Sequence, residues 1–208
     1  MLACTPSPPK PAGQKPAEPQ IRATVVTIQT TLVSGKGPAR NFTHSLVIAG
    51  DRARSGDEVD SWRLYDLKNN KVTFVDDIAR TFRTQPLQSL LDVHRHEMAE
   101  AVSPSMPHAQ FAATGAKRVI AGVNASENVI RLGGYQRNLW IAEHPQIPPQ
   151  LFTMMIISQP VSSPLTGVMR AADDALLKTR GFPMADHSEL PYGNTKMVID
   201  RNVVKVEQ

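Results

Sequence analysis

The distribution of apolar and polar residues divides the chain into a short proline-rich segment and a long segment with strand and helix patterns. Residues 1–20 contain six prolines and almost no large apolar side chains, so they cannot bury enough surface to fold. In residues 21–33, nine of thirteen residues are β-branched, which is typical of a strand. The pattern therefore predicts a flexible, extended tether over residues 1–20 and one folded domain over residues 21–208.

Short apolar runs separated by turn residues predict most of the remaining strands. Gly35–Pro38 and Lys68–Lys71 have the composition of tight turns, and strands joined by tight turns pair antiparallel. The predicted strands comprise residues 21–33, 42–49, 61–67, 72–75, 80–84, 117–121, 128–132, 138–142 and 196–206.

Three segments have the apolar spacing of helices. The first begins at Pro86, and its apolar stripe consists of Leu87, Leu90, Leu91, His94, Met98 and Ala101. The second covers Gln150–Ser158 and is apolar on almost every side. The third has Ser163 as a candidate N-cap, Pro164 at its first position and Gly181 just beyond its end. The order of strands, helix, strands, helices and strand predicts an α+β domain.

Composition and charge narrow the classes of function. The chain has 41% hydrophobic residues and a formal net charge of +4, and its Lys and Arg residues are scattered. A nucleic-acid-binding protein more often has a basic stripe with interleaved aromatic residues, so we expect no nucleic-acid partner. The longest apolar run, Leu151–Ile157, is too short to cross a membrane. The single cysteine excludes an internal disulfide bond.

That cysteine, Cys4, stands at the head of the proline-rich segment. Leu2-Ala3-Cys4 is similar to the lipobox of bacterial lipoproteins, and a spacer rich in proline follows it. We therefore expect Cys4 to carry a lipid anchor, and the signal peptide of the precursor to lie upstream of Met1. The expected location is the periplasmic face of the cell envelope, at the outer membrane. The alternative is an unmodified cysteine in a disordered tail.

The clusters of polar residues do not predict a catalytic or metal site. His94 and His96 are two residues apart, so on a helix they point about 200° away from each other and cannot bind one metal ion. We expect His94 to border the core and His96 to be solvated. The paired carboxylates are expected to be solvated as well; they are Asp76 with Asp77, Asp173 with Asp174, and Asp57 with Glu58 and Asp60. The sequence has neither a Gly-x-Ser-x-Gly elbow nor a phosphate-binding loop, and we predict no enzyme activity and no cofactor.

Two stretches taken together resemble a known group of proteins. They are YDLKNNKVTFVDD followed by ARTFRT within Arg52–Leu87, and TGAKRVIAGVNASENVIRLGGYQRNLWIA over Thr114–Ala142, with RGFPM at Arg180–Met184. Their order resembles bacterial envelope lipoproteins of unknown function whose fold is like that of the lipoprotein carriers LolA and LolB. The resemblance covers most of residues 21–206. It implies a strongly curved, unclosed antiparallel barrel with helices on its concave face, and relatives with this fold hold acyl chains or dock protein partners.

The aromatic and methionine residues are the candidates for lining such a cavity. We predict a channel between a sheet face that carries Trp62, Leu64 and Phe74 and the helix that carries Met154 and Met155, with Trp140 as a further candidate. The alternative for all six is ordinary core packing. Two functions stay open: binding of an apolar ligand, either an acyl chain or a lipidated protein, and docking of an envelope protein on the same fold.

Overall fold

The computed structural model describes residues 22–58, 60–101, 109–159 and 166–208. Cys4, the tether, Ser163 and Pro164 lie outside the described residues. The strands are β1 (Thr24–Ser34), β2 (Arg40–Ala49), β3 (Arg52–Glu58), β4 (Ser61–Asp66), β5 (Lys71–Asp76), β6 (Thr81–Pro86), β7 (Gln110–Ile120), β8 (Val123–Leu132), β9 (Tyr135–Ala142), β10 (Phe182–Tyr192) and β11 (Thr195–Glu207). The helices are α1 (Leu87–Ala101), α2 (Pro149–Ile157) and α3 (Thr166–Leu176).

The strands form one antiparallel sheet of eleven strands in the order β6-β5-β4-β3-β2-β1-β11-β10-β9-β8-β7. Each half is a meander, β1 to β6 on one side and β7 to β11 on the other, and the halves join where β1 pairs with β11. The sheet is strongly curved and does not close, since β6 and β7 are its two edges. The predicted curved, unclosed antiparallel sheet is therefore confirmed.

Burial alternates along the strands, so one face of the sheet supplies the core. In β1, Thr24, Val26 and Ile28 are buried, while the residues between them are only partly buried. The strand pairs carry the same face across the sheet, because Val26 lies beside Leu46 of β2 and Ile28 beside Val203 of β11. The period of two predicts this arrangement, since successive side chains of a strand point to opposite faces.

The helices complete the core. In α2, Leu151, Phe152, Met154, Ile156 and Ile157 are buried, and the ring of Phe152 meets that of Phe182 of β10 edge to face, with centroids 6.0 Å apart. Helix α3 contacts β8, and α1 contacts α2 and α3. The predicted stripe of α1 is confirmed at its centre, where Leu90 and His94 are buried; His96 is exposed. Among the described helices, none is long and apolar enough to cross a membrane.

Two strands, β3 and β10, escaped the prediction from sequence. Strand β3 consists almost entirely of polar residues and has no apolar alternation. Strand β10 lies in the middle of the sheet and contains Pro183 and Pro191, although proline lacks the N–H that a central strand needs. The fold accommodates Pro183 at a shift of register against β9, and Pro191 lies at the end of the strand.

Candidate functional site

A cavity of about 360 Å³ lies between helices α2 and α3 and the central strands of the sheet. We call it the α2–sheet cavity. Its size is at the lower end of the range of small-molecule sites, about 300–1,000 Å³. Its lining residues are Ile28, Thr30, Phe42, His44, Arg137, Phe152, Met155, Ile156, Gln159, Asp173, Phe182, Pro183, Asp186, Arg201, Asn202 and Val203.

The cavity is apolar on one side and reaches the surface at its rim. Ile28, Phe152, Ile156, Phe182 and Val203 are buried and form its apolar wall. At the rim, Phe42 is 48% exposed, and Gln159 and Asn202 are exposed as well. The exposed side chain of Phe42 places an apolar group at the rim, where a ligand would enter the cavity.

The polar side of the cavity is built by strand register. Thr30 of β1 lies directly between Phe42 of β2 and Arg201 of β11, and Arg201 in turn lies beside Asp186 of β10. These four residues therefore form one row across four strands. Arg137 joins them from β9, where it shares a face with Leu139 and contacts Asp186 diagonally.

The strongest polar contact is a bidentate ion pair between Arg137 and Asp186. Nε of Arg137 donates to Oδ1 of Asp186 at 2.9 Å, and Nη2 donates to Oδ2 at 2.6 Å. Arg201 Nη1 donates to Oδ2 at 3.2 Å, and the Ser188 hydroxyl donates to Oδ1 at 3.0 Å. Burial opposes ionisation of Asp186, but the charges of Arg137 and Arg201 and the hydrogen bonds from Arg137 and Ser188 together outweigh it and lower the pKa of this carboxyl.

Asp173 of α3 is less well paired than Asp186. Its carboxylate lies 4.0 Å from Nη1 of Arg137 and 3.7 Å from Nη1 of Arg170, and Arg170 makes its short contact, 2.7 Å, to Glu97 of α1. Burial raises the pKa of Asp173 to about 6, and the nearby arginines only partly oppose the shift. The expectation that Asp173 is solvated is wrong, because α3 presents it to the cavity, where it is buried.

Some buried polar atoms of the described residues lack a hydrogen-bond partner. They are Oγ1 of Thr30, both ring nitrogens of His94 and Nη1 of Arg170. Burial, followed by the charge of Arg170, lowers the pKa of His94, so this ring is neutral at neutral pH. Thr30 is the member of this group that lines the cavity. Unpaired buried polar groups are uncommon and costly, so the Thr30 hydroxyl is a candidate ligand contact.

The Asp173→Asn variant should be more stable than the wild type at neutral pH. The native pKa of Asp173, about 6, lies above its ordinary value of 3.8, so ionising this group weakens the fold as the pH rises from about 4 to about 6. Above that window the cost is at most about 3 kcal/mol. Asparagine avoids it, and urea unfolding above pH 7 should show a gain of about 1–3 kcal/mol that disappears near pH 4.

The matched control is Asp174→Asn, one residue along α3. Asp174 is half-buried and pairs with Lys178 at the surface at 3.0 Å, so its replacement should change stability by less than about 0.5 kcal/mol at either pH. An Asp173→Asn variant that is less stable than wild type above pH 7 would show that its two arginine contacts outweigh the cost of burial.

The structure does not bring the six predicted cavity residues together. Trp62 pairs with Val75 and Leu64 pairs with Thr73, whereas Phe74 pairs with Arg63. Trp62 and Leu64 therefore lie on one face of the sheet and Phe74 on the other, so the predicted face shared by all three is wrong. The register of β4 against β5 decides this, and a shift of one residue reverses the face of every side chain.

Each of these aromatic rings lies beside a basic side chain, and Phe74 also packs against the hydrophobic core. The guanidinium of Arg54 lies 4.4 Å from the ring centroid of Trp62, whose Nε1 donates to Asp77 Oδ2 at 3.0 Å. The guanidinium of Arg83 lies 5.0 Å from the ring of Phe74. These contacts are cation–π pairs rather than parts of an apolar channel.

Of the other predicted residues, Met155 lines the cavity, and Met154 is fully buried in the core. Trp140 lies on the opposite face from Leu139, and the guanidinium of Arg118 is 4.2 Å from the centroid of its ring. The prediction missed Arg137 and Asp186. In β9, Arg137 lies on the same side of the strand as the apolar residues Tyr135, Leu139 and Ile141. A charged residue at such an inward-facing position is the sequence signal that could have identified it.

A second, wider groove lies at the end of the sheet. Its volume is about 910 Å³, and exposed loop residues such as Arg22, Glu143, Pro145 and Arg180 form much of its lining. We place the candidate site in the smaller α2–sheet cavity, because that cavity combines a buried apolar wall with convergent charges. In the part of the chain that the structure describes, no group of three or more His, Cys, Asp or Glu residues could hold a metal ion.

Comparison with known proteins gives little further information. No protein-family model matches the sequence, and no curated protein matches it. Among solved structures, PNGF-II in two crystal forms aligns with 89% of this chain at 13% and 12% identity, with TM-scores of 0.45 and 0.44. The chain spans 28% of the length of those PNGF-II chains, and at these TM-scores the alignment gives no basis for an argument about function.

Proposed function

We propose that this protein is a non-catalytic envelope lipoprotein that binds an apolar or amphiphilic ligand in the α2–sheet cavity. The observation that carries the proposal is a cavity of about 360 Å³ that has a buried apolar wall and the exposed side chain of Phe42 at its rim. Each methylene buried there contributes about 0.8 kcal/mol, so a chain of about ten offers roughly 8 kcal/mol before ordering costs. Binding at tens of micromolar corresponds to about 6 kcal/mol, so it leaves about 2 kcal/mol for the net costs of association and ordering.

The proposal includes the finer description of the fold, a LolA-like half-barrel whose helices lie on the concave face. Two features support it. Helix α1 follows β6 along the chain and precedes β7, so it connects the two opposite edges of the curved sheet. Helices α2 and α3 share the cavity with the core side of β1, β10 and β11. A curved sheet with an apolar face requires such a cover.

The contacts of Asp186 support a positioning role for this residue rather than an acid–base role. The carboxylate of Asp186 accepts hydrogen bonds from Arg137, Arg201 and Ser188, so its oxygens are occupied by structural contacts. A general acid or base needs a carboxyl that can reach a substrate proton. We therefore assign Asp186 to the positioning of the two arginines.

If the ligand binds in the α2–sheet cavity, a larger side chain in that cavity should weaken binding. A fluorescent fatty-acid probe should bind the wild type at tens of micromolar or tighter, and Met155→Trp should weaken binding at least tenfold, because the larger side chain occupies the space between α2 and the sheet. The measurement is a fluorescence titration at equal protein concentrations.

Leu64→Trp is the matched control for this titration. Leu64 is also half-buried, but it lies on the opposite face of the sheet, so its substitution should leave probe affinity within about twofold of wild type. If the probe fails to bind wild type at tens of micromolar, or if both variants lose affinity equally, the cavity is not the binding site.

The lipid anchor is part of the same proposal and has its own test. In cells that express the full-length precursor, radioactive palmitate should label wild type, whereas Cys4→Ala should remain unlabelled, because acylation requires the Cys4 thiol. Two or more acyl chains would hold the protein stably on a membrane, since a single chain gives only marginal binding. Equal labelling of both proteins would contradict the anchor.

A second candidate function is docking of an envelope protein, and edge strand β6 favours it. Phe82 of β6 is 77% exposed, and Ile78 in the turn before it is 74% exposed. Large apolar side chains beside an unpaired strand edge are a feature of surfaces that accept another chain. In that case the cavity is a packing defect, and apolar ligands do not bind in it.

A further inference from the structure

The charges around the α2–sheet cavity indicate what kind of polar group its ligand carries. Two arginines and two aspartates line the cavity, but they differ in how many hydrogen bonds they already make to other residues of the protein. Asp186 accepts two hydrogen bonds from Arg137 and one each from Arg201 and Ser188, so it has little capacity left for a ligand.

Of the two arginines, Arg201 has more N–H donors that make no hydrogen bond within the protein. The structure gives it one hydrogen bond, from Nη1 to Asp186 at 3.2 Å, and its side chain is 39% exposed at the cavity. A guanidinium has five N–H donors, so most of the donors of Arg201 are available to a ligand. Arg137, in contrast, is committed to Asp186 through two short bonds.

The residue beside Arg201 on the sheet adds a second, independent observation. Thr30 is paired with Arg201 across β1 and β11, and its hydroxyl is buried without a hydrogen-bond partner. An oxyanion placed between them could accept from both the hydroxyl and the guanidinium. Phe42 of β2 lies on the other side of Thr30, so an apolar side chain at the rim is one strand away from this pair of donors.

We infer that the ligand is an amphiphile with an anionic group, a carboxylate or a phosphate, that binds Arg201 and Thr30 while its apolar chain lies against Phe42, Phe152 and Ile156. This inference rests on the proposed function. Asp173 is the carboxylate that would oppose such a ligand, and burial raises its pKa to about 6, so it accepts a proton more readily than an ordinary aspartate.

Calorimetric titration with amphiphiles of equal chain length tests the inference. Decanoate and decyl phosphate supply the two anionic groups, decanol is neutral, and decyltrimethylammonium is cationic. At least one anion should bind wild type at least tenfold more tightly than decanol, since hydrogen bonds to charged groups are stronger than those between neutral groups. Which anion binds more tightly distinguishes a carboxylate ligand from a phosphate ligand.

The Arg201→Gln variant should lose most of this preference, to within about threefold, because its affinity for the anions falls. Arg118→Gln, which removes an arginine from edge strand β7, should retain the full preference. Equal binding of decanoate, decyl phosphate and decanol to wild type would overturn the inference, as would tighter binding of the cation or a preference that survives in Arg201→Gln. Absence of binding by all four amphiphiles would instead contradict the proposed function.

Discussion

Replacing Arg137 by leucine should lower the free energy of unfolding by about 3–5 kcal/mol, because the substitution leaves Asp186 buried without its main partner. The side chain of Asp186 is 4% exposed, and its remaining contacts would be Ser188 at 3.0 Å and Arg201 at 3.2 Å. Thermal unfolding should shift down by about 10 °C for a domain of this size. Urea unfolding followed by circular dichroism measures the loss directly.

Two further variants separate the ion pair from a general effect of losing an arginine. Arg118→Leu removes an arginine from edge strand β7, where it is exposed, and should cost less than about 1 kcal/mol. The double variant Arg137→Leu with Asp186→Leu removes both charges and should recover at least half of the loss. A double variant no more stable than Arg137→Leu alone would show that the pair does not act as a unit.

The loss of stability at acid pH should also depend on the ion pair between Arg137 and Asp186. Arg137 lowers the pKa of Asp186, so the stabilisation that this ion pair contributes is present above the ordinary aspartate range. It is lost as the pH falls through the native pKa of Asp186. In the double variant this part of the acid dependence should be absent.

Gly181→Ala is the second substitution with a large expected effect, about 3 kcal/mol of destabilisation. Gly181 has a φ of +106°, and a Cβ atom there would lie 2.8 Å from the carbonyl oxygen of Ala142 and 2.9 Å from Cγ2 of Ile141. These contacts involve the backbone of β9, which cannot move without disturbing the pairing of β9 with β10. That pairing is what sets Asp186 beside Arg137.

Gly193→Ala is the control for backbone conformation alone. Gly193 has a φ of +57°, but nothing lies within 4 Å of the position of a Cβ atom, so its substitution should cost only about 1 kcal/mol. The difference between the two variants, about 2 kcal/mol in urea unfolding, measures the close approach of β10 to β9. Equal losses in both variants would mean that the contact with Ala142 is easily relieved.

The spacing and composition of residues along the chain predicted those strands and helices that are determined by neighbouring residues alone. The β-branched run at the start of the domain gave β1, and helical spacing of apolar residues gave α1 with His94 on its buried side. Strand β10 was missed because Pro183 and Pro191 argue against a central strand, and the irregular register that tolerates Pro183 depends on a partner strand distant in sequence.

The candidate site was harder to predict for the same physical reason. Arg137, Asp173, Asp186 and Arg201 come from β9, α3, β10 and β11, so their proximity depends on long-range pairing and not on any spacing along the chain. The aromatic residues that attracted attention in the sequence, Trp62 and Trp140, lie under exposed arginines on the other face of the sheet. Periodicity identifies that a strand has two faces, but the tertiary structure determines which one encloses a cavity.

Methyl-group NMR during titration with decanoate shows whether the ligand binds in the α2–sheet cavity. Methyl groups of Ile28, Met155, Ile156 and Val203 line the cavity, and Leu64 and Val75 lie on the opposite face. Binding in the cavity should cause saturable shifts in the first group and none in the second. Shifts confined to Leu64 and Val75, or no saturable shift at millimolar ligand, would contradict it.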